Sequence, residues 1–244
     1  MNLKIYSGSQ CNQHCSYCDK LPLEDFQQLS VIEDLLPIIQ PDSIIIEGGE
    51  PFIYPELVQK VISWGYETYI LTNGTLITKE WLQQMPSTVH LKFSLDGPIA
   101  LHNLQRSNYT LTAQTLQWCQ DLKIPFSIGT TCTTTTLLFL EKVKLEILNW
   151  APQIWTLTPQ MFTNEGEEGK RKTLEIYNQI CAATKDWNLP FGFVVPNFTE
   201  NYENDCIEIL FKNEQIEVHS SGYYTEQKKL YTYTEIEELK HDWF

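Results

Sequence analysis

Three cysteines, Cys11, Cys15 and Cys18, stand in the run Ser9-Gln10-Cys11-Asn12-Gln13-His14-Cys15-Ser16-Tyr17-Cys18-Asp19, spaced CxxxCxxC. Thiolates this close in sequence can converge on one metal centre. A structural zinc ion takes four ligands in a closed tetrahedron, so three thiolates leave it one short. A four-iron, four-sulfur cluster takes one thiolate per iron, so three leave one iron open to a ligand that is not protein. The odd count favours reactive chemistry over a structural staple.

The elements around this loop follow a βα rhythm. Strand-like runs at Leu3–Tyr6, Ser43–Glu47, Thr68–Thr72, His90–Leu95, Phe126–Thr131 and Ile154–Thr158 alternate with amphipathic stretches near 24–39, 56–64, 77–84, 100–121 and 137–149. Alternation of this kind predicts an α/β fold, a parallel sheet with helices outside. Six units make an open, partial (β/α)6 TIM-like barrel, and in such barrels function gathers where strands end. The predicted strand ends are all polar or glycine-rich. The first runs into the cysteine loop, and the second ends in Glu47-Gly48-Gly49-Glu50-Pro51. The third ends in Thr72-Asn73-Gly74, and the fourth in Ser94-Leu95-Asp96-Gly97-Pro98, followed by His102 and Arg106.

CxxxCxxC after the first strand, with Tyr17 before the last cysteine, and Gly-Gly-Glu-Pro after the second resemble the radical S-adenosylmethionine superfamily over about residues 3–160. The Ser94-Leu95-Asp96-Gly97 turn with His102 and Arg106 resembles its peptide-modifying branch. The resemblance implies one 4Fe-4S cluster on Cys11, Cys15 and Cys18 and S-adenosyl-L-methionine on the open iron. It further implies that Gly48 and Gly49 let the backbone approach the cofactor, since no Cβ intervenes, and that Glu50 holds its ammonium. Arg106, one of two arginines against 15 lysines, suits the cofactor carboxylate because a guanidinium grips two oxygens. Ser94 suits the ribose hydroxyls and Tyr17 the adenine. Each has a plainer reading: a βα turn for the glycines, a solvated helix face for Arg106, a cap for His102, packing for Tyr17.

Composition bounds the setting. The chain has 244 residues, 42 % hydrophobic and 12 % aromatic, enough for a sizeable core. No signal-peptide stretch or spanning run is visible, so a cytoplasmic protein is expected. Cys119, Cys132, Cys181 and Cys206 are scattered singly, unlike a disulfide framework. Cys132, at the end of the fifth strand, is a candidate hydrogen-atom donor to a substrate radical. The formal charge of −14 argues against nucleic acid as a partner.

Residues 1–162 are expected to form the core and 163–244 a C-terminal extension. That extension reads as a helix at about 171–187, a strand at Phe191–Val195, a loop at Pro196–Asn201, a hairpin of Ile207–Phe211 and Ile216–His219, and a short helix at 234–241. From Cys206 to Leu239 it resembles a degenerate SPASM-type extension without an auxiliary cluster. Tyr223, Tyr224, Tyr231 and Tyr233 are expected at a substrate entrance. The activity implied is reductive cleavage of S-adenosylmethionine to a 5′-deoxyadenosyl radical that modifies a ribosomally made precursor peptide by epimerisation, crosslinking or splicease-type excision. The implied partners are that peptide, a small leader-binding protein and an electron donor of flavodoxin or ferredoxin type, with no membrane or nucleic acid. Two alternatives stand beside it: a small-molecule substrate such as a purine or sugar derivative, and a non-catalytic iron–sulfur scaffold.

Overall fold

The computed structural model describes residues 2–18, 29–196, 206–212, 215–221 and 226–232, the last three segments by their backbone alone. Its elements are β1 (Asn2–Tyr6), α1 (Leu29–Ile39), β2 (Ser43–Glu47), α2 (Pro55–Ser63), β3 (Glu67–Thr72), α3 (Lys79–Gln84), β4 (Val89–Ser94), α4 (Ile99–Gln105), α5 (Tyr109–Leu122), β5 (Phe126–Cys132), α6 (Thr134–Leu138), α7 (Leu140–Trp150), β6 (Ile154–Pro159), α8 (Gly166–Thr184) and β7 (Gly192–Val194), followed by β8 (Cys206–Lys212), β9 (Gln215–Ser221) and β10 (Glu226–Thr232). The alternation makes an α/β fold of six consecutive strand–helix units, as the sequence predicts. Among the described residues no helix is long and apolar enough to cross a membrane.

The chain divides into two compact units. One comprises 1–11, 20–71 and 201–244, the other 12–19 and 72–200. This grouping cuts across a division at 162. In the first unit β2 pairs parallel with β1, through Leu3↔Ile44 and Ile5↔Ile46, and with β3. On the other edge of β1, β8 adds in parallel, and β8, β9 and β10 form an antiparallel meander. The predicted hairpin is therefore a three-stranded extension of this sheet. Tyr231 falls in β10; the 24–28 helix start, the 197–201 loop, Tyr223, Tyr224, Tyr233 and the 234–241 helix lie outside the described residues.

Local sequence explains the first unit. Ser43-Ile-Ile-Ile-Glu47 is a β-branched run that favours strand. Pro55 opens α2, Glu56 stands in its first turn and Lys60 in its last, which suits the helix dipole. That helix buries Leu57, Val58 and Val61 while β1 and β2 bury Leu3, Ile5, Ile44 and Ile46. Each fully buried Leu, Ile or Val side chain contributes roughly 1.5–3 kcal/mol.

In the second unit β4, β5, β6 and β7 run parallel. In β4 and β5 the side chains alternate strictly. Val89, Leu91 and Phe93 of β4 and Phe126, Ile128, Thr130 and Cys132 of β5 are buried. Phe93 meets Phe126 edge-on with centroids 5.8 Å apart, and fully buried Trp155 stacks on Trp187 at 5.5 Å. The opposite face carries half-buried His90, Lys92, Ser94, Ser127 and Thr131.

The amphipathic stretch 100–121 predicts one helix, but two form. Arg106, Ser107 and Asn108 interrupt it, with φ of +134° at Ser107 and +57° at Asn108. A serine is strained at such a φ. Its carbonyl accepts from Gln13 Nε2 and bonds His102 Nε2, both at 3.1 Å. Tertiary bonds thus override a local helical pattern. The stretch 137–149 likewise divides, at Phe139, into α6 and α7.

Candidate functional site

The cysteine loop is shaped by bonds to distant strand ends. Within the second unit Asn12 Nδ2 donates to Thr75 Oγ1 at 2.7 Å, and Asn73 Nδ2 donates to Asn12 Oδ1 at 2.8 Å. The Ser16 amide donates to the Gln105 carbonyl at 2.8 Å, and Cys18 N to Cys15 O at 3.0 Å. Gln105 is itself fixed: its side chain lies 2.5 Å from Thr133 Oγ1 and 3.1 Å from Thr136 Oγ1 in a buried polar network. The loop holds Cys11 and Cys15 half-buried and Cys18 exposed.

At the end of β4 sits a charged cluster. Asp96 is fully buried, and its carboxylate is saturated with donors. Oδ2 accepts from Arg106 Nε at 2.7 Å and from the Tyr17 hydroxyl at 2.5 Å, while Oδ1 accepts from the Thr131 amide at 3.0 Å. A buried carboxylate needs such a set. The remaining edge of Arg106 makes longer contacts, NH1 to Cys15 Sγ at 3.9 Å and NH2 to Thr131 Oγ1 at 3.4 Å. The guanidinium also lies over the Tyr17 ring, 5.2 Å from its centroid. Burial works against its charge, but the Asp96 carboxylate outweighs that and holds it firmly protonated. Tyr17 is pushed well above the usual phenol range, first by burial and then by Asp96, against the pull of Arg106.

His102 lies beneath this cluster with no exposed surface. Its Nδ1 accepts from the Asp96 amide at 3.3 Å, so Nε2 carries the proton and donates to Ser107 O at 3.1 Å. Burial lowers its pKa to about 4, with Asp96 opposing and Arg106 assisting. It is a neutral brace between the Asp96 turn and the Arg106–Asn108 interruption.

In the first unit, strand pairing continues past the strand ends. Ser7 N bonds Glu47 O at 2.7 Å, Gly49 N bonds Gly8 O at 2.7 Å and Glu50 N bonds Gln10 O at 2.9 Å. A Cβ on Gly49 would stand 1.8 Å from Gln10 O, and one on Gly48, at φ +142°, would stand 2.8 Å from Gly8 O and Ser7 Oγ. The Gly-Gly pair thus serves a close approach of two backbones. Ser7 Oγ is buried without a hydrogen-bond partner among the described residues. Glu50 is 1 % exposed and caps the turn at Pro51–Ile53, with Oε1 accepting from Phe52 N at 3.2 Å.

The second unit thus gathers Cys15, Tyr17 and Arg106 into one cluster. Ser94 is half-buried at the end of β4. Cys132 shares the buried face of β5 with Ile128, opposite Thr131, and is fully buried. Its thiol contacts Thr133 O at 3.9 Å, and burial with nearby Asp96 pushes it up to about 12. Thr131, Gln13 and Gln105 are neighbours of this cluster that motif spacing did not name, and Asp96 was named only within its turn. An aspartate ten residues before one of two arginines was the available signal.

No protein-family model matches the chain. Among curated relatives, it is 33 % identical over 95 residues to an S-adenosylmethionine-dependent nucleotide dehydratase of Thermoplasmatales archaeon, covering 36 % of this chain and 34 % of that protein. It is 30 % identical over 120 residues to 7-carboxy-7-deazaguanine synthase of Aquifex aeolicus, covering 46 % and 51 %. The chain thus spans about a third to a half of the length of these relatives. Among solved structures, Streptococcus suis SuiB with bound S-adenosylmethionine superposes with a TM-score of 0.68 at 14 % identity, covering 93 % of this chain and 62 % of that one. Native anSMEcpe with AdoMet and the Kp18Cys peptide superposes at 0.65 and 15 %, covering 92 % and 75 %. The Escherichia coli radical SAM enzyme HemN matches at 0.50 and 11 %, covering 98 % and 69 %. In fold the chain is thus similar to radical SAM enzymes, and part of its length is similar to S-adenosylmethionine-dependent relatives.

Proposed function

We propose that the chain is a radical S-adenosylmethionine enzyme that modifies a ribosomally made precursor peptide. The observation that carries this reading is the CxxxCxxC loop pinned by Tyr17 and Ser16 to a strand-end cluster of Asp96 and Arg106. Three thiols within eight residues suit a site-differentiated cluster, which takes one thiolate per iron. Among the described residues no three His, Cys, Asp or Glu side chains gather to hold a single metal ion. The Arg106 guanidinium reaches Cys15 Sγ at 3.9 Å.

When bound to Cys11, Cys15 and Cys18, the cluster with S-adenosylmethionine supplies reductive carbon–sulfur cleavage and hydrogen abstraction. The chain's own residues bind and orient. Gly48 and Gly49 present backbone without side chains, and Glu50 offers a carboxylate to an ammonium. The NH1/NH2 edge of Arg106, engaged only at 3.9 and 3.4 Å, is the fork a carboxylate would take. Ser94 offers a hydroxyl to the ribose. Tyr17, its hydroxyl spent on Asp96, offers its ring to the adenine.

The peptide substrate draws support from the fold likeness to SuiB, solved with its precursor peptide SuiA at a TM-score of 0.64, and to anSMEcpe with bound peptide. A separate leader-binding protein and a flavodoxin- or ferredoxin-type donor would complete the system. A second reading, a purine-like small molecule, is favoured by the nucleotide dehydratase and deazaguanine synthase relatives. Anaerobic reconstitution with iron, sulfide, dithionite and S-adenosylmethionine tests both. Deoxyadenosine formation stimulated by a precursor peptide supports the first reading, and stimulation by purines alone supports the second. No deoxyadenosine from a chain carrying its full cluster refutes both.

A further inference from the structure

We infer that Arg106, held in place by Asp96 and Tyr17, is a positioning residue for the Cys15 sulfur and sets the reduction potential of the centre that the cysteine loop holds. This rests on the cluster reading above but goes beyond cofactor binding. The guanidinium divides its contacts. Nε is tied to Asp96 at 2.7 Å, and NH1 reaches Cys15 Sγ at 3.9 Å. The ion pair is almost fully enclosed, with 11 % of the arginine side chain and none of the aspartate exposed. Charges so enclosed are screened little by salt or water. The geometry is also enforced from three sides: the Tyr17 ring beneath the guanidinium at 5.2 Å, the Tyr17 hydroxyl on the same Asp96 oxygen, and the Thr131 amide on the other. Tyr17 lies one residue before Cys18, so the clamp that fixes Arg106 also fixes the loop.

Hydrogen bonds to cluster sulfurs and nearby charge are the protein's main controls on iron–sulfur potential. A positive charge beside a thiolate ligand stabilises the reduced, more negative centre and raises its potential. The Asp96 carboxylate opposes it from the far side of the same guanidinium. Arg106 and Asp96 therefore act with opposite signs on one centre, although each supports the other's place in the fold.

Redox titration of the reconstituted protein without S-adenosylmethionine, followed by the electron paramagnetic resonance signal of the reduced cluster, tests this. Arg106→Gln is expected to lower the midpoint, cutting the reduced-to-oxidised ratio at fixed potential at least about tenfold, or about 59 mV. Asp96→Asn is expected to raise it, and Arg106→Lys, which keeps the charge, to stay within about threefold of the parent. Shifts of the same sign in Arg106→Gln and Asp96→Asn, or none in either with a full cluster, overturn the inference, because a purely structural pair has no reason to separate by sign. Should Arg106→Gln fail to take up iron, a midpoint for Asp96→Asn at or below the parent's overturns it alone. Failure of the underlying reading looks different: the parent protein itself assembles no reducible cluster.

Discussion

Gly49→Ala is the sharpest test of how the first unit builds its strand-end turn. The added methyl would stand 1.8 Å from Gln10 O and 2.5 Å from Gln10 C. Both are backbone atoms, so no side-chain rotation relieves the clash. Reaching the 3.4 Å of ordinary contact separates the two segments by about 1.6 Å. That displacement breaks the bonds from Gly49 N to Gly8 O and from Glu50 N to Gln10 O. Each is worth about 1 kcal/mol net, and forcing a methyl into packed backbone adds roughly 1–3 kcal/mol, together roughly 3–5 kcal/mol. The expected fall in melting temperature is on the order of 10 °C. Gly65→Ala is the control, because nothing lies within 4 Å of its Cβ and only its φ of +80° opposes alanine, a cost of about 1 kcal/mol. Urea unfolding followed by tryptophan fluorescence, with iron content after reconstitution, reads both variants. A Gly49→Ala protein no less stable than Gly65→Ala, with full iron, would refute the close-approach argument.

His102, neutral in the fold with its pKa lowered to about 4, gives a pH signature. Its contribution is complete above the unfolded value near 6.5, fades as pH falls, and is lost by about pH 4, a change of roughly 3 kcal/mol. Urea midpoints at pH 7 and 4.5 should converge for His102→Gln relative to the parent, and equal slopes in the two proteins would contradict the brace. Cys119 and Cys132, fully buried with thiols pushed up to about 12, should resist iodoacetamide in the native protein at pH 8 and react in urea. Mass spectrometry showing Cys132 alkylated as fast as exposed Cys18 in the native state would contradict its placement.

Much of the fold was legible because strands β1 to β6 are short apolar or β-branched runs bounded by turn residues. Their ends fall within a residue of expectation, and the chemistry collects at those ends. The helix break at Arg106–Asn108 was not legible, since nothing local in Gln105-Arg106-Ser107-Asn108 forbids a helix. It arises from Gln13 and Ser16, about ninety residues earlier in the chain. The extent of the C-terminal meander was missed in the same way. Glu226–Thr232 is polar, and its strand character comes from pairing with β9, the context dependence expected of β structure. Motif order named Cys15, Tyr17 and Arg106, which the fold brings together, and it named Asp96 as part of the Ser94–Gly97 turn without assigning it these partners. Its saturation by three donors is a property of the folded state.

The bonds that shape the cysteine loop span long stretches of chain: 79 residues from Tyr17 to Asp96, 91 from Cys15 to Arg106 and 94 from Gln13 to Ser107. During translation the loop therefore leaves the ribosome well before its anchors exist. At 5–20 residues per second the interval is on the order of 5–20 s, in which Cys15 and Cys18 lack the clamp that later fixes them. If the loop takes up a cluster as proposed, organised uptake follows synthesis of the α4 region, and a chain stalled before Ser107 would display its thiols without the bonds that shape the loop. The loop's chemistry is written early in the chain, but its maturation belongs to the quality-control interval that follows.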